Sequence, residues 1–308
     1  MRLKYKILWV ENDSDWAESI EEEIKELVES QYGFCYDRTF ANKQDDAILF
    51  NDYDLIMMDL NLESEPTGDV LIKNIRDREI YTDVIFYSAD GLQKIKHNAH
   101  DLDLEGVYFA SRDKDLFINK VNSVIKTTIH KVQDLNNLRG LVMAEVSELD
   151  VRMLSIIEAY YIQKETEDKT KKFKKHLVED VEKATKKKLT ESENCDKLCK
   201  HKWSKLSIQD IIGDFEFDSS RKARAIKLIL ETEKIPYDAR NGNFYEDYRI
   251  DMLQMRNNLA HCISRMKEGK EILITQDGGM EFDDKKFQNI RKQIRNYNDF
   301  FNQIEKVI

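Results

Sequence analysis

The chain has little of what builds long loops, disulfide scaffolds or membrane spans. Its 308 residues include only 2 prolines, 10 glycines and 4 cysteines. So few prolines and glycines predict that extended loops and disordered tails are scarce, and four scattered cysteines are typical of reduced thiols in a cytoplasmic protein. No apolar run approaches the length of a membrane span. The charged first ten residues predict a strand rather than a signal peptide.

An excess of basic charge is also missing. The formal net charge is -10, although 35% of the residues are charged. Broad DNA binding rests on the neutralisation of phosphates by basic side chains, so it is not expected here. No helix-turn-helix pattern is seen, so specific DNA binding is not expected either. The length and a hydrophobic content of 41% suit two domains with cores of their own.

Short apolar runs alternate with helical patterns over residues 1–130. The predicted strands are 5–10, 34–37, 55–58, 83–87 and 106–110, and the predicted helices are 14–28, 41–50, 68–76 and 114 to about 138. Five apolar strands that alternate with helices predict an α/β fold, a doubly wound parallel sheet covered on both faces.

Polar side chains stand at the ends of three of these strands. Glu11, Asn12 and Asp13 follow the first strand, Asp59 follows the third, and Ser88 ends the fourth. Because ligands bind at the carboxyl ends of parallel strands, we expect these groups to converge. Converging acids need a cation between them, and Mg²⁺ prefers such oxygen ligands. A carboxylate beside a metal ion and a hydroxyl predicts a phosphoryl acceptor.

The order of these residues resembles the receiver domain of response regulators, over stretches 7–13, 53–62 and 84–89. The resemblance implies a flavodoxin-like, five-stranded domain over residues 1–130, with a sensor histidine kinase as partner. It also implies roles for particular residues: Asp59 as phosphoacceptor, Ser88 as switch hydroxyl, and Glu11, Asp13, Asp59 and the carbonyl of Asn61 as Mg²⁺ ligands.

Two positions depart from the receiver pattern. Asn12 stands where the family has a second acid, which weakens the Mg²⁺ site, although Asp13 can compensate. Ala110 or Ser111 stands where the family has a lysine, which leaves Arg112 or Lys114 to reach in from a shifted loop. The alternative hypothesis is a receiver that keeps the fold and signals without phosphate.

Residues 131–308 predict a mostly helical effector domain with an insert near 189–245. The lysine-rich run 169–175 favours a solvated helix face over an RNA-contacting patch. Cys195, Cys199 and His201 lie close together but lack the fourth ligand and the usual spacing of a zinc site. Residues 271–282 predict a hairpin around Gly278 and Gly279, followed by a last helix over 283–306.

The most specific motif lies on a helix predicted over residues 246–266. One apolar stripe is formed by Met252, Met255, Leu259, Cys262, Ile263 and Met266. His261 lies on the far side of the stripe, with Asn257 on its own face and Arg256 at the edge. Imidazole moves protons near neutral pH, and guanidinium neutralises charge on a phosphate. Such a set suits phosphodiester cleavage without a metal.

Residues 256–261, Arg-Asn-Asn-Leu-Ala-His, resemble the R-polar-x3-H signature of HEPN domains. The resemblance implies a helical bundle and a homodimer that joins two signatures in one ribonuclease site. Arg256 and His261 would be catalytic, Asn257 would orient them, and no cofactor would be needed. The implied function is a signal-regulated, metal-independent endoribonuclease acting on RNA, as a toxin or a stress or phage-defence effector. The alternative is a non-catalytic two-component signalling adaptor whose helical domain mediates dimerisation or partner binding.

Overall fold

The computed structural model describes residues 3–43, 48–132, 135–163, 168, 171–173, 175–176, 207–213 and 217–308. The chain forms two compact units. The first comprises Met1–Leu138 and Asp283–Arg295, and the second comprises Arg139–Phe282 and Asn296–Ile308. The candidate zinc residues Cys195, Cys199 and His201 lie outside the described residues, as do positions 169, 170 and 174 of the lysine-rich run. Within the described residues, no helix is long and apolar enough to cross a membrane.

A five-stranded parallel sheet forms the centre of the first unit. Its strands are β1 (Lys4–Val10), β2 (Cys35–Ala41), β3 (Leu55–Asp59), β4 (Asp83–Ser88) and β5 (Val107–Ser111). They lie in the order β2-β1-β3-β4-β5, and every neighbouring pair is parallel. This is the flavodoxin-like order of doubly wound sheets. The predicted α/β fold of the N-terminal region is therefore confirmed.

Helices flank this sheet, because its strands are apolar towards both faces. The helices are α1 (Ser14–Glu26, continued by a π-helical turn at Leu27–Gln31), α2 (Gly68–Asp77), α3 (Leu92–Asp101) and α4 (Lys114–Val132). All five residues of β3 are buried. Side chains of β3 and β4 such as Ile56, Met58 and Phe86 pack with Leu71 and Ile75 of α2. A strand buried on both faces is an apolar run rather than an alternating one, which explains the sequence pattern.

The helix predicted over residues 41–50 is wrong in its described part. Ala41 ends β2, where it pairs with Val10 of β1. Phe50–Asp52 forms a 3₁₀ turn, and residues 44–47 lie outside the described part of the chain. Pairing along the whole of β1 extends β2 beyond the weak strand predicted at 34–37. Contact with a neighbouring strand therefore overrides the local helical pattern.

The second unit is mainly helical. Its elements are most of α5 (Leu135–Glu158, continued by a π-helical turn at Ala159–Gln163), α6 (Ile208–Ile212), α7 (Ser219–Glu233), α8 (Phe244–Tyr248, continued by a π-helical turn at Arg249–Gln254), α9 (Met255–Ala260) and the end of α10 (Asp284–Val307). Phe244, Tyr248, Tyr297 and Phe301 form part of its aromatic core. The described part of the predicted insert thus contains helices, and it contributes to this core.

A three-stranded antiparallel sheet adds one strand to the hairpin that was predicted in this mostly helical region. Its strands are β6 (Cys262–Lys267), β7 (Lys270–Thr275) and β8 (Glu281–Phe282). The predicted hairpin around Gly278 is present as β7 and β8. Glu268 and Gly269 join β6 to β7, and both have positive φ angles. Two such residues suit the tight turn of a two-residue hairpin.

The single helix predicted over residues 246–266 is also wrong. This segment instead contains a π-helical turn at Arg249–Gln254, and α9 ends at Ala260. Cys262 then pairs with Thr275 as the first residue of β6. Ile263 and Met266, which were assigned to the buried stripe, are 40% and 70% exposed. Pairing with β7 therefore converts the end of an apparent helical stripe into an edge strand.

Candidate functional site

Three of the predicted site residues lie at the carboxyl ends of strands, and all three are buried. Glu11 follows β1, Asp59 ends β3 and Ser88 ends β4. Each is at most 1% exposed. The strand order places β3 between β1 and β4, so the three groups belong to adjacent strands. We call Glu11, Asp13, Asp59 and Arg112 the acidic pocket.

Asp59 has one satisfied and one open carboxylate oxygen. The Asn61 backbone N–H donates to Oδ2 at 2.9 Å. Oδ1 is buried and has no hydrogen-bond partner within the described residues. Burial, together with the negative charge of Glu11, raises the pKa of Asp59 to about 7. A buried carboxylate with an unused acceptor atom is suited to receiving a proton, a cation or a new covalent group.

Gly68 packs directly against the backbone of Asp59, which the sequence reasoning missed. A Cβ at Gly68 would overlap the Asp59 carbonyl oxygen and lie 2.9 Å from its carbonyl carbon. The Gly68 N–H also donates to the carbonyl of Leu60 at 3.0 Å. The start of α2 therefore supports the peptide that carries the candidate phosphoacceptor, and only glycine fits there.

Glu11 is held by two donors. The Asp13 backbone N–H donates to Oε1 at 2.9 Å, and the Tyr87 hydroxyl donates to Oε2 at 2.9 Å. The Trp9 indole N–H in turn donates to the Tyr87 hydroxyl oxygen at 2.7 Å. Burial raises the pKa of Glu11, and burial beside Glu11 and Asp59 raises that of Tyr87. Tyr87 was not predicted as a site residue, because an aromatic residue in a buried strand is ordinarily only core.

Arg112 brings a positive charge into the pocket. Its Nη2 donates to Asp13 Oδ2 at 2.8 Å and lies 3.7 Å from Glu11 Oε2. Its guanidinium carbon lies 4.4 Å from the centre of the Trp16 ring. Lys114, the other cation considered from the sequence, pairs with Glu23 instead. Of the two, it is therefore Arg112 that contacts these acids.

Asp13 serves as a helix cap as well as an ion-pair partner. Its Oδ1 accepts from the Trp16 backbone N–H at 3.0 Å, which caps α1. That hydrogen bond, together with the Arg112 side chain, holds the pKa of Asp13 below its usual value. Both oxygens of this carboxylate are therefore occupied by protein donors.

The donor set, as it is arranged, does not fit a divalent cation. No group of three His, Cys, Asp or Glu side chains converges in metal-binding fashion among the described residues. Asn12, at the position of the second family acid, is exposed. The open oxygen of Asp59 is suited to a cation, but a guanidinium already neutralises the neighbouring acids. Mg²⁺ binding by Glu11, Asp13, Asp59 and Asn61 therefore stays a prediction, and no step below depends on it.

Ser88 lies in a network on the other side of Asp59. Its Oγ accepts from the Asp90 backbone N–H at 3.1 Å. The Asp90 carboxylate accepts from Lys94 at 2.5 Å and from the Asn61 side chain at 3.3 Å. Ser111 pairs with Ser88 across β4 and β5, so Ser111 occupies the strand end where a lysine was expected. The switch role of Ser88 remains a prediction.

The predicted catalytic residues of the second unit lie on or directly after α9. Arg256 and Asn257 belong to α9, and the Arg256 guanidinium donates to Asn257 Oδ1 at 3.4 Å. His261 follows the helix and is exposed, as its position off the apolar stripe predicted. The arrangement leaves the imidazole accessible to a substrate.

Arg256 is also tied to the interior of the second unit. Its Nη1 lies 3.9 Å from Asp150 Oδ2 on α5. Asp150 further accepts from the Tyr248 hydroxyl at 3.3 Å and from the Ser219 hydroxyl. A guanidinium beside a shared carboxylate is held in orientation without being buried. Asp150 could not be found from the sequence, because more than a hundred residues separate it from Arg256.

Arg139 is a second basic group near His261. Its Nη1 donates to the backbone carbonyl of Cys262 at 3.3 Å, one residue after His261. The Cys262 thiol donates to the Asn258 carbonyl at 3.2 Å, and burial raises its pKa. These contacts hold the junction between α9 and β6, where His261 lies.

The solved structures that the chain resembles include response regulators and their receiver domains. The receiver domain of Francisella response regulator 1452 is 23% identical and covers 40% of this chain and 98% of its own, with a TM-score of 0.29. The phosphorylated cyanobacterial phytochrome response regulator RcpA is 15% identical. The match covers 42% of this chain and 97% of RcpA, with a TM-score of 0.34. The response regulator TrrA of Thermotoga maritima, in complex with Mg²⁺-BeF, is 20% identical. The match covers 39% of this chain and 98% of TrrA, with a TM-score of 0.31. No protein-family model matches the chain, and no curated protein does. The strand order β2-β1-β3-β4-β5 itself defines the fold of the first unit.

Proposed function

We propose that the chain is a two-component signalling protein in which a receiver controls a metal-independent endoribonuclease. For the receiver, the observation that carries the proposal is Asp59, a buried carboxylate at the carboxyl edge with an open oxygen. For the effector, it is the exposed His261 next to the helix that bears Arg256 and Asn257. A sensor histidine kinase would supply the phosphoryl group.

In the effector, each side chain has a separate chemical task. The His261 imidazole takes the proton from a ribose 2′-hydroxyl, whose oxygen attacks the adjacent phosphorus. The P–O bond to the next nucleotide breaks, which leaves a 2′,3′-cyclic phosphate and a 5′-hydroxyl. Arg256 neutralises charge on the phosphate oxygens, as a guanidinium does at phosphoryl centres. Asn257 accepts from Arg256 and orients it.

A second copy of the chain would complete the site. One imidazole can remove the 2′-proton, but the leaving 5′-oxygen must also receive a proton. A homodimer that brings two copies of His261 together would provide a base and an acid at once. The exposure of His261 is compatible with such pairing. The biological role would be that of a toxin or of a stress or phage-defence effector.

The test is an RNA-cleavage assay in which EDTA is present during the cleavage reaction. The full-length chain is first incubated with acetyl phosphate and Mg²⁺, or left untreated, before EDTA is added. We expect His261→Ala to lose at least about 100-fold in cleavage, the size of a general acid–base contribution. His97→Ala removes another exposed histidine, on α3, and should cleave as wild type does.

Asp59→Asn separates the receiver from the effector in the same assay. Its cleavage should not respond to acetyl phosphate, whereas that of the wild type should. Full cleavage by His261→Ala would refute the ribonuclease proposal. An equal response of wild type and Asp59→Asn to acetyl phosphate would refute the phosphoacceptor role.

A non-catalytic adaptor is the second candidate. The specific observation in its favour is the exposure of Ile263 and Met266 on β6, directly after the motif. Exposed apolar side chains on an edge strand are typical of a surface that contacts another protein. In that case the chain would leave all RNAs intact in every arm of the assay.

A further inference from the structure

The cation within the acidic pocket comes from the chain itself. The Arg112 guanidinium lies 2.8 Å from Asp13 and 3.7 Å from Glu11. Its side chain is only 17% exposed, and the Glu11 side chain is fully buried. Two acids whose charges would otherwise repel thus share one fixed positive group. A divalent ion bound in the acidic pocket would neutralise the same two carboxylates, Asp13 and Glu11, at the position that the guanidinium occupies.

Several contacts hold Arg112 in this position. Its guanidinium lies over the Trp16 ring, a cation–π arrangement that limits its movement. Asp13 is itself fixed as the cap of α1. Ser111, the residue before Arg112, is paired in the sheet with Ser88. A planar guanidinium that is stacked and ion-paired is more strongly oriented than a free lysine would be.

The remaining ligands favour the guanidinium over a metal ion. Both Asp13 oxygens and both Glu11 oxygens already accept hydrogen bonds from protein donors. Asn12 is exposed and neutral. A divalent ion would therefore have to displace Arg112 or share the pocket with it, and two like charges about 4 Å apart repel strongly when partly buried.

We propose that Arg112 is the resident cation of the acidic pocket and competes with divalent cations for it, so that the pocket binds Mg²⁺ weakly. Asp59 keeps its open oxygen within a pocket whose neighbouring acids are already neutralised. This inference refines the receiver half of the proposed function and is independent of the ribonuclease half. Its test measures Mg²⁺ binding and not RNA cleavage. This inference can therefore fail while the proposed function stands, and the proposed function can fail while this inference stands.

The experiment is a calorimetric titration of the full-length chain with MgCl₂. We compare wild type with Arg112→Gln, which removes the charge, and with Arg112→Lys, which keeps it. Lys114→Gln is the matched control, because it removes a cation of the same region that pairs with Glu23 outside the pocket. We expect Arg112→Gln to bind Mg²⁺ at least about tenfold more tightly than wild type, since one repelling charge is removed. Arg112→Lys and Lys114→Gln should stay within about threefold of wild type.

A further variant tests whether the neutral Asn12, rather than Arg112, limits the affinity of the pocket for Mg²⁺. Asn12→Asp adds a carboxylate at an exposed position, so it should fold even if Arg112→Gln does not. With Arg112 in place we expect Asn12→Asp to raise Mg²⁺ affinity by less than about threefold, because the guanidinium still occupies the pocket. Equal Mg²⁺ affinities of wild type and Arg112→Gln, including no binding by either, would overturn the proposal. So would a gain of about tenfold or more from Asn12→Asp alone.

Discussion

At the scale of single residues, a glycine packs directly against the backbone of Asp59. Gly68 begins α2 against the carbonyl group of Asp59, where a Cβ would overlap the oxygen. Gly140, in contrast, has open space around the position of a Cβ. It lies within α5, and no described atom comes within 4 Å of a Cβ at that position. The same substitution should therefore have opposite effects at the two sites.

We predict that Gly68→Ala lowers the free energy of unfolding by about 1–3 kcal/mol, because the new methyl group displaces the backbone of Asp59. Gly140→Ala should raise it by about 0.5–1 kcal/mol, since alanine is the better helix former. Urea denaturation measures both values. A neutral or stabilising Gly68→Ala would show that α2 does not support Asp59 in this way.

At the scale of elements, one arginine on α5 donates several hydrogen bonds to the end of α10 within the second unit. Arg152 donates to the backbone carbonyl and the side-chain oxygen of Asn298, at 3.0 and 2.8 Å. It also donates to Asn302 and Glu305, at 2.8 and 2.9 Å. A single guanidinium thus bridges two turns of the last helix. Val151, its neighbour on α5, is 58% exposed.

We predict that Arg152→Ala lowers the free energy of unfolding by about 1–3 kcal/mol, because several charge-assisted hydrogen bonds are lost together. Val151→Ala should change it by less than about 0.5 kcal/mol, as is usual at exposed positions. The two variants are compared in guanidinium chloride. Equal midpoints for Arg152→Ala and Val151→Ala would mean that the contacts of Arg152 contribute no net stability.

At the scale of the whole molecule, the first unit is built from two distant parts of the chain. Asp283–Arg295, the beginning of α10, belongs to the same compact unit as the parallel sheet. Arg291 is 4% exposed, donates to the Tyr32 carbonyl at 3.0 Å and lies over the Phe34 ring. Burial lowers its pKa to about 10. The turn that leads into β2 is therefore completed by a residue 259 positions away in sequence.

We predict that Arg291→Ala increases amide hydrogen exchange in the segment that contains Gly33 and Cys35, because the turn loses both a donor and a packing partner. Asn289→Ala, an exposed change on the same helix, should leave that exchange unchanged. The measurement is hydrogen–deuterium exchange of the full-length chain, read by mass spectrometry. Unchanged exchange in Arg291→Ala would mean that α10 does not stabilise the turn.

Much of the first unit could be predicted from local pattern, and the errors have a common cause. Apolar runs and the polar residues that end them located β1, β3, β4 and β5. The helix predicted over 41–50 failed at Ala41 because that residue pairs with β1 as the end of β2. The helix predicted over 246–266 failed because pairing with β7 begins at Cys262. In both cases an adjacent strand determined the conformation, and local periodicity contains no information about that strand.

Local sequence pattern was sufficient to predict the parallel sheet, the placement of Glu11, Asp59 and Ser88 at strand ends, and the hairpin around Gly278. These features follow from side chains that are close together along the chain. The tertiary structure alone decided that Arg112 pairs with Asp13, that Tyr87 donates to Glu11, and that the start of α10 belongs to the first unit. Each of these joins residues that are far apart in sequence. Such contacts depend on how the elements pack, which the composition and spacing of any one segment do not specify.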